Sequence, residues 1–238
     1  MVDRTYCQYP YDDDLIAATL RDGQTRVRAY RFTEKVAVLG SGSYAEAELH
    51  LDVCHKDRVP VLRRRGEGCA VILDPANVIV SVAATGIPFG HHRQQFDTLT
   101  TWLIEGLARI GMPGVSQAGI CDLVLGDRKI GGACLHRSRD LLYYTVSLLV
   151  DPDLENVKRY LKHPPREPEY RRGRAHRDFM GSLAKSLAVD DSAGVGCNGT
   201  DSNCPTDHTS GANAEHVAEL LRSTLRPPDL QQSPAVAA

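Results

Sequence analysis

The chain has 238 residues, 42% of them hydrophobic, and a formal net charge of −2 at pH 7. This length provides for one sizeable core, and the near-neutral charge excludes a general electrostatic attraction to nucleic acid or to membrane surfaces. No apolar run approaches the ~20 residues that span a bilayer, and the seven cysteines lack disulfide or metal-ligand spacing, so we expect a cytoplasmic protein with reduced thiols.

The first half of the chain predicts one helix followed by short strands. The helix is expected over residues 13–22, and strands over Arg26–Phe32, Lys35–Leu39 and Val59–Leu62. Two nearly continuous apolar runs come next, over 69–73 and 78–84, and Pro75 between them suits the second position of a type I turn. We predict that these two runs pair as a hairpin buried on both faces.

The second half adds a longer helix, a hairpin and further helices. Apolar residues at helical spacing predict a helix that ends at Gly111; they are Phe96, Leu99, Leu103, Leu107 and Ile110. A hairpin over 120–135 follows, and then a strand over Leu141–Val150. Asp151 is expected to cap the next helix, with Pro152 at its first position. Another helix is expected through Phe179, Met180, Leu183 and Leu187.

The composition changes near residue 190 and sets the expected domain boundaries. Gly, Ser, Asp, Asn and Thr dominate from there and predict a flexible linker over 190–212. Asn213 then caps a helix over 213–226, and residues 227–238 are expected to be a disordered tail. Because the strands arrive as hairpins rather than as βαβ units, residues 1–189 are expected to form one α+β domain with a mainly antiparallel sheet.

The hairpin over residues 120–135 carries a carboxylate and an amine on one face. If its Gly-Asp turn is a two-residue loop, Asp122 lies opposite Gly131 and diagonal to Lys129, with Cβ atoms roughly 7–8 Å apart. The expected floor beside this pair is Gly131 and Ala133, which leaves room for a ligand. Such a site suits an anionic, activated small molecule, although an ordinary cross-strand ion pair on a solvated face is an equal alternative.

A second polar segment, residues 63–68, joins two predicted strands. Arg63 and Arg64 run into a turn that contains Gly66 and Gly68. Backbone N–H groups exposed in such a turn bind phosphate or carboxylate oxygens, and arginine side chains add bidentate contacts of the same kind. A basic surface loop is the alternative interpretation of this segment alone.

In order and spacing, these two segments resemble the lipoate-protein ligase branch of the biotin/lipoate ligase superfamily. Its members carry an arginine pair before a glycine-rich segment, and later a hairpin with the motif K(V/I)xGxA. The positions in register are Arg63, Arg64, Gly66, Gly68, Asp74, Asn77, Ser81, Asp122, Lys129 and Gly132. The resemblance covers residues 10–187 and implies a class II synthetase-like α+β fold, a mainly antiparallel mixed sheet flanked by helices.

The resemblance also implies an activity, which is the ATP-dependent ligation of lipoate or octanoate to a carrier-protein lysine through lipoyl-AMP. Lys129 and Asp122 would be catalytic, and Asp122 would also contact Mg²⁺. The residues implied to bind substrate or nucleotide are Arg63, Arg64, Gly66, Glu67, Gly68, Cys69, Ala70, Asn77, Cys121, Gly131, Gly132 and Ala133. The implied cofactors are ATP and Mg²⁺, and the implied partner is a lipoyl domain or a carrier resembling glycine-cleavage H protein.

The sequence departs from the family pattern, which keeps two alternatives open. Glu67 and Cys69 replace glycines, and Cys121 replaces an asparagine; these changes favour a specialised subgroup, such as ligases that serve the lipoate-binding proteins of sulfur oxidation. One alternative is an ATP-independent octanoyl or lipoyl transferase with Cys121, Cys69 or Cys134 as nucleophile, its thiol pKa lowered by Lys129 or the arginines. The other is a non-catalytic lipoate-binding partner subunit.

Several conspicuous residues are interpreted as structural. Gly40-Ser41-Gly42-Ser43 lacks the lysine of a phosphate-binding loop and predicts a turn. His91-His92 lacks a third ligand, and Cys197 and Cys204 match no zinc template. The basic loop 166–177 either guides an acidic carrier electrostatically or is simply a solvated surface. The final helix is either the remnant of an accessory domain or an element packed on the core.

Overall fold

The computed structural model describes residues 6–184 and 213–230. The predicted linker at 190–212, with Cys197 and Cys204, lies outside the described residues, and so do residues 231–238 of the predicted tail. Within the two described ranges, no helix combines the length and the apolar character needed to cross a bilayer.

The described elements alternate between short strands and helices. In chain order they are β1 (Cys7–Gln8), α1 (Asp13–Asp22), β2 (Arg26–Arg31), β3 (Val36–Leu39), α2 (Ala45–Glu48), α3 (Leu51–Lys56), β4 (Val61–Arg63), β5 (Val71–Leu73), β6 (Asn77–Ala84), α4 (His92–Arg109), β7 (Val115–Ala118), β8 (Asp122–Leu125), β9 (Arg128–Arg137), β10 (Leu142–Leu149), α5 (Leu154–Tyr160), a 3-10 turn (Glu169–Arg171), α6 (His176–Phe179) and α7 (Ala214–Thr224). The sequence predicted neither β1 and β7 nor α2 and α3.

Two sheets organise the domain. The large sheet has six strands in the order β2-β6-β10-β9-β8-β7, with every neighbouring pair antiparallel. The small sheet is mixed and has the order β1-β4-β3-β5. One face of the large sheet packs on α4, where Leu99, Leu103 and Tyr144 are fully buried. The predicted α+β class with a mainly antiparallel sheet is confirmed.

The predicted hairpin of β5 and β6 is wrong, because the two strands belong to different sheets. β5 pairs with β3, whereas β6 pairs with β2 and β10. The residues between them form a corner: the N–H of Asn77 donates to the carbonyl of Asp74 at 2.9 Å, and the N–H of Asp74 donates to Oδ1 of Asn77 at 2.8 Å. All eight residues of β6 are buried, as predicted, because both faces of that strand are covered.

Two predicted helix boundaries also need correction. The cap of α5 is Asp153 rather than Asp151, since the Asp153 carboxylate accepts from the N–H groups of Glu155 and Asn156 at 3.0 and 3.2 Å. Asp151 is still tied to the sheet corner through its N–H. The helix predicted through Phe179, Met180, Leu183 and Leu187 is interrupted after α6, because Gly181 turns away to donate its N–H to the Lys129 carbonyl at 2.8 Å; Leu187 lies outside the described residues.

The C-terminal helix α7 packs on the core of this domain. Asn213 caps it as predicted, with Oδ1 accepting from the His216 N–H at 2.8 Å. Arg222 Nε donates to the Ala29 carbonyl of β2 at 3.0 Å, and Glu215 pairs with Arg31. In the part of the predicted tail that the structure describes, residues 227–230, Pro228 is buried. The helix therefore covers the β2 edge of the large sheet.

Candidate active site

The β8–β9 hairpin brings the predicted amine and carboxylate into direct contact. Lys129 Nζ lies 2.6 Å from Asp122 Oδ1, and the Asp122 side chain is 8% exposed against 27% for Lys129. Gly132 lies beneath the pair, because a Cβ there would be 3.2 Å from Lys129 Nζ and 3.7 Å from Asp122 Oδ1. A buried carboxylate thus holds a partly exposed ammonium group above bare backbone.

The register of this hairpin differs from the prediction by one residue. Val124 pairs with Lys129, but a β-bulge follows, so Leu123 pairs with Gly131 and Asp122 pairs with Gly132. The floor of the site is therefore Gly132 rather than Gly131. A Cβ added at Gly131 would lie 3.0 Å from the Ser147 carbonyl oxygen, and Ala133 lies in the hydrophobic core. The extra residue of the bulge is Ile130, whose side chain is fully buried.

The bend at residues 64–69 is held by its own arginine. Arg64 Nη2 donates to the carbonyls of Glu67 and Cys69 at 2.9 and 3.0 Å. Gly68 has a φ of 109°, and a Cβ there would lie 2.8 Å from Arg64 Nη2, so only glycine fits. Gly66 packs on β9, where a Cβ would lie 2.5 Å from Cys134 Sγ. The bend therefore rests directly on the hairpin that carries Lys129.

Arg63 contacts the backbone of a neighbouring turn, and its role in ligand binding stays a prediction. Its side chain is buried, and Nη1 donates to the carbonyls of Gly40 and Ser43 at 2.8 and 3.0 Å. Residues 40–43 form the predicted turn, which presses on the bend so closely that a Cβ at Gly40 would lie 1.9 Å from the Gly68 carbonyl oxygen. The turn is thus a wall of the site, a role that the sequence did not indicate.

The remaining predicted binding residues lie around this bend or at the sheet corner. Glu67 is exposed and its Oε1 accepts from Ser41 Oγ at 2.8 Å. The Ala70 N–H donates to the buried Glu48 carboxylate.

The other two predicted binding residues, Cys121 and Asn77, lie in the large sheet or at its corner. The Cys121 carbonyl accepts from the N–H of Ala133 at 2.7 Å. Asn77 is buried at the sheet corner, where its side-chain amide bonds to backbone groups. Its role in ligand binding stays a prediction.

Residues 163–181, which we call the strap, cross over the hairpin. Tyr170 OH donates to Asp122 Oδ2 at 2.7 Å, and Arg174 Nη1 pairs with Asp127 Oδ2 at 2.9 Å. The Cys69 thiol lies 3.6 Å from the Arg166 carbonyl. The strap therefore touches the bend, the carboxylate and the hairpin turn. Tyr170 could not be predicted from the sequence, because the strap has no periodicity that would indicate its contacts.

The three cysteine thiols near the site are not activated. Burial raises the pKa of Cys69, Cys121 and Cys134, and the positive charges of Lys129 and Arg64 only partly oppose that rise. The prediction that neighbouring cations would lower the pKa of these thiols is wrong, because desolvation outweighs the charge effect. Thiolate formation at these positions is therefore disfavoured at neutral pH.

Two further groups in the strap are strongly perturbed. Burial, reinforced by the bond to Asp122, raises the pKa of Tyr170, so its hydroxyl stays protonated and donates. Burial lowers the pKa of His176 to about 4, and the charges of Arg171, His163 and Lys129 act in the same direction. His176 is therefore neutral at pH 7 within a cluster of cations.

Asp122 is a poor candidate for a stand-alone metal site. Its two carboxylate oxygens are engaged by Lys129 and Tyr170, and the described ranges contain no group of three or more His, Cys, Asp or Glu side chains suited to hold an ion. Mg²⁺ commonly binds through one or two carboxylates plus substrate phosphates. The residues present do not fit a resident Mg²⁺, and the contact of Asp122 with Mg²⁺ stays a prediction.

Comparison with known proteins identifies the family to which the chain is similar. Residues 8–193 match the lipoyl protein ligase A/B catalytic domain. A lipoate–protein ligase of Streptococcus pyogenes is 28% identical over 152 residues, which are 63% of this chain and 43% of that protein. A lipoate-protein ligase A bound with ATP superposes with a TM-score of 0.61 at 19% identity, over 89% of this chain and 78% of that chain.

A third similarity extends along nearly the whole chain. A structure described as a bi-partite lipoate protein ligase and its E2 lipoyl domain, from Thermoplasma acidophilum, matches with a TM-score of 0.59 at 18% identity, over 98% of this chain and 97% of that one. The fold is thus the one seen in these solved lipoate-protein ligase structures. The chain belongs to the lipoyl protein ligase A/B catalytic-domain family. It spans less than half the length of the curated relatives it matches.

Proposed function

We propose that this protein ligates lipoate, or octanoate, to a lysine of a carrier protein in two steps driven by MgATP. The observation that carries the proposal is the Lys129–Asp122 pair above Gly132, beside a bend of glycine backbone and beneath the strap. Family membership supports the same activity. MgATP enters here as a substrate, and the protein is not required to hold the metal ion by itself.

The first step would join the acid to the nucleotide. An oxygen of the lipoate carboxylate attacks the α-phosphorus of ATP, the bond to the β-phosphate oxygen breaks, and pyrophosphate leaves. Lys129 would supply positive charge where the phosphate and carbonyl oxygens become more negative in the transition state. Asp122 positions that ammonium group at 2.6 Å, and Tyr170 positions Asp122 at 2.7 Å.

The second step would transfer the acyl group. A neutral carrier lysine attacks the acyl carbonyl of lipoyl-AMP, the bond to the phosphate oxygen breaks, AMP leaves, and the nitrogen loses a proton to solvent. Much of the rate would come from holding the two reactants together. In the described residues the only thiols near the site have raised pKa values, which disfavours the alternative of an ATP-independent cysteine transferase.

The departures from the family pattern are compatible with a functional site. The Glu67 side chain is exposed and turns toward Ser41, and the Cys69 thiol turns toward the strap. The atoms nearest to a Cβ added at Gly132 belong to Lys129 and Asp122 rather than to these two side chains, so the replaced glycines do not by themselves favour a non-catalytic binding subunit.

We propose a lipoyl domain, or a carrier resembling glycine-cleavage H protein, as the acceptor. The strap offers Arg166 and Arg172, which are exposed and have no ion pair among the described residues. Such charges guide an acidic partner and increase its association rate. The expectations of a dedicated carrier, as in sulfur oxidation, and of a reducing compartment stay predictions.

One experiment tests the proposal directly. The protein is incubated with lipoate, MgATP and an apo lipoyl domain, and pyrophosphate release and carrier mass are followed. We expect both signals to require ATP and lipoate, and pyrophosphate release to persist without carrier. A gain in carrier mass from an acyl donor without ATP would contradict the proposal and favour the transferase alternative. Lipoate binding without pyrophosphate release would favour the non-catalytic one.

A further inference from the structure

Glu48 is a buried carboxylate beside the bend that the steps above do not use. It is the last residue of α2 and is 5% exposed. Among the described residues its carboxylate has one hydrogen-bond partner, the N–H of Ala70, and no cation pairs with it. A charge that has left water for a single donor is costly to bury. Such a group calls for an explanation in the part of the molecule that it contacts.

The peptide unit that Glu48 contacts is held at both ends by charged side chains. Its N–H, that of Ala70, donates to Glu48, and its C=O, that of Cys69, accepts from Arg64 Nη2 at 3.0 Å. The N–H and C=O of a trans peptide point in opposite directions, and none of the described peptide bonds is cis. A carboxylate at the positive end of the peptide dipole and a guanidinium at its negative end stabilise one orientation of this peptide.

The hydrogen bonds of the bend are distributed unevenly between its carbonyls and its N–H groups. All four carbonyls of residues 66–69 accept hydrogen bonds; the donors are Ser41 N–H, Ser43 Oγ and Arg64 Nη2. The N–H groups of residues 65–69 have no acceptor within the described ranges. Backbone with occupied carbonyls and free N–H groups is electropositive and suits anionic oxygens. This run of free N–H groups ends at Ala70, where Glu48 is the acceptor.

Loss of the Glu48 carboxylate would disturb more than one hydrogen bond. The Ala70 N–H would become a donor without an acceptor at a buried residue. Rotation of the peptide would relieve that cost, but it would draw the Cys69 carbonyl away from Arg64. Arg64 also holds the Glu67 carbonyl at 2.9 Å, through the same nitrogen. The position of the free N–H groups therefore depends on a side chain of α2.

We propose that Glu48 is a positioning residue for the ligation reaction. Its carboxylate fixes the orientation of the peptide between Cys69 and Ala70, and thereby holds the free N–H groups of the bend in place for the reacting oxygens. The inference rests on the proposed function, because it takes the lipoate carboxylate and the α-phosphate of ATP as the groups that lie beside the bend. Glu48 itself contacts no substrate in this assignment, and its contribution is to preorganise the groups that do.

The test compares variants of the full chain in lipoate-dependent pyrophosphate release, at a temperature where circular dichroism shows each of them folded. Glu48→Met keeps the bulk of the side chain but has no acceptor. We expect its kcat to fall about 10- to 100-fold, because a small displacement of the groups around the reacting atoms costs this much. Glu48→Gln keeps an oxygen acceptor of the same reach. Its kcat should lie within about fivefold of the wild-type value, the difference between a charged and a neutral hydrogen bond.

Glu46→Met is the matched control on the same helix. The Glu46 side chain is exposed, so its replacement should leave the rate of pyrophosphate release unchanged. A residue whose role is only structural would lower the melting temperature when replaced, and the folded variant would keep the wild-type kcat. The melting temperature of each variant is therefore measured together with its kcat.

A second readout does not depend on activity. Burial, and after it the negative charge of Glu48, raises the pKa of the Cys69 thiol. Glu48→Gln should therefore speed the alkylation of Cys69 by iodoacetamide at mildly alkaline pH, which mass spectrometry of the Cys69 peptide measures. An unchanged alkylation rate would overturn the assignment, because the carboxylate would then not lie against the bend. Since it uses only the conservative variant, this readout decides also where Glu48→Met does not fold.

The kinetic outcomes separate the remaining possibilities. A wild-type kcat in folded Glu48→Met would overturn the inference and leave the proposed function standing. An equal loss in Glu48→Met and Glu48→Gln, or in Glu46→Met, would overturn it too, because the loss would not follow the hydrogen bond to Ala70. Absence of pyrophosphate release by the wild type would overturn both proposals.

Discussion

The two arginine-rich segments of the molecule, the bend and the strap, differ in the groups that their arginines contact. Arg63 and Arg64 donate to backbone carbonyls of the bend and of the turn next to it. In the strap, Arg171 is as buried as Arg63, and its Nε donates to the Arg174 carbonyl at 3.0 Å and lies 3.4 Å from Glu167 Oε2. The arginines of the bend therefore shape a backbone surface, whereas those of the strap also pair with carboxylates, Arg171 with Glu167 and Arg174 with Asp127.

This difference explains why the sequence describes one segment better than the other. A glycine needed at a positive φ, such as Gly68, and an arginine that satisfies carbonyls around it are local features, which leave a motif in the sequence. The contacts of the strap join residues far apart in the chain, such as Tyr170 and Asp122. Four sets of substitutions test this difference.

Lys129→Met tests the hairpin, and it should have the largest effect. Removal of the ammonium group is expected to lower the rate of lipoate-dependent pyrophosphate release about 10²- to 10³-fold, the usual cost of losing one electrostatic stabiliser of a transition state. The measurement is a coupled pyrophosphate assay at saturating MgATP. Lys158→Met on α5, where the side chain is exposed, is the control. A loss of less than tenfold would mean that Lys129 serves only as the ion-pair partner of Asp122.

His176→Gln tests the strap through pH. The folded-state pKa of about 4 lies below the ordinary value of 6.5, so the unfolded chain binds more protons between these values. Stability is therefore complete above pH 6.5 and is lost as the pH falls toward 4, by about 2–3 kcal/mol. Urea denaturation at several pH values should show this loss in the wild type and a flatter profile in His176→Gln. The exposed His55→Gln is the control, and an equal slope in wild type and His176→Gln would contradict the prediction.

The hairpin shows which features of the site the sequence could predict and which it could not. The turn at 126–127 and the alternation of β8 located Asp122 and Lys129 on one face of the hairpin. The bulge at Ile130 could not be predicted, since it depends on the burial of that side chain in a core built by distant elements. Consequently the glycine under the ion pair is Gly132, one residue beyond the position expected.

The β5–β6 corner illustrates the same limit in the fold. The sequence identified both apolar strands and the turn at Asp74–Asn77, because these depend on neighbours in the chain. Which sheet each strand joins depends on pairing with β3 or with β10, whose residues lie far away in sequence. Local patterns therefore predicted the elements, and non-local pairing decided their arrangement.

Gly66→Ala tests the contact between bend and hairpin. The added Cβ would lie 2.5 Å from Cys134 Sγ, and such overpacking is expected to cost about 1–3 kcal/mol of unfolding free energy. Cys134→Ala in the same chain should restore part of the loss, because it removes the sulfur while a Cβ at 2.9 Å remains. Urea denaturation of the two single variants and the double variant gives the coupling energy. Strictly additive effects would mean that the bend does not rest on β9.

Arg166→Ala with Arg172→Ala tests the outer surface of the strap, and it should have the smallest effect. Both side chains are exposed, so each contributes less than about 1 kcal/mol to a contact with an acidic carrier. We expect a rise of about three- to tenfold in the KM for the carrier, which shrinks as added salt screens the charges, because guidance of this kind acts mainly on association. The rate of pyrophosphate release without carrier should stay within about twofold of the wild-type rate.

The control is Arg21→Ala with Arg139→Ala, which removes two exposed arginines outside the strap. An equal rise in that control, or none in either pair, would contradict a role of the strap in carrier binding and leave the carrier to another surface.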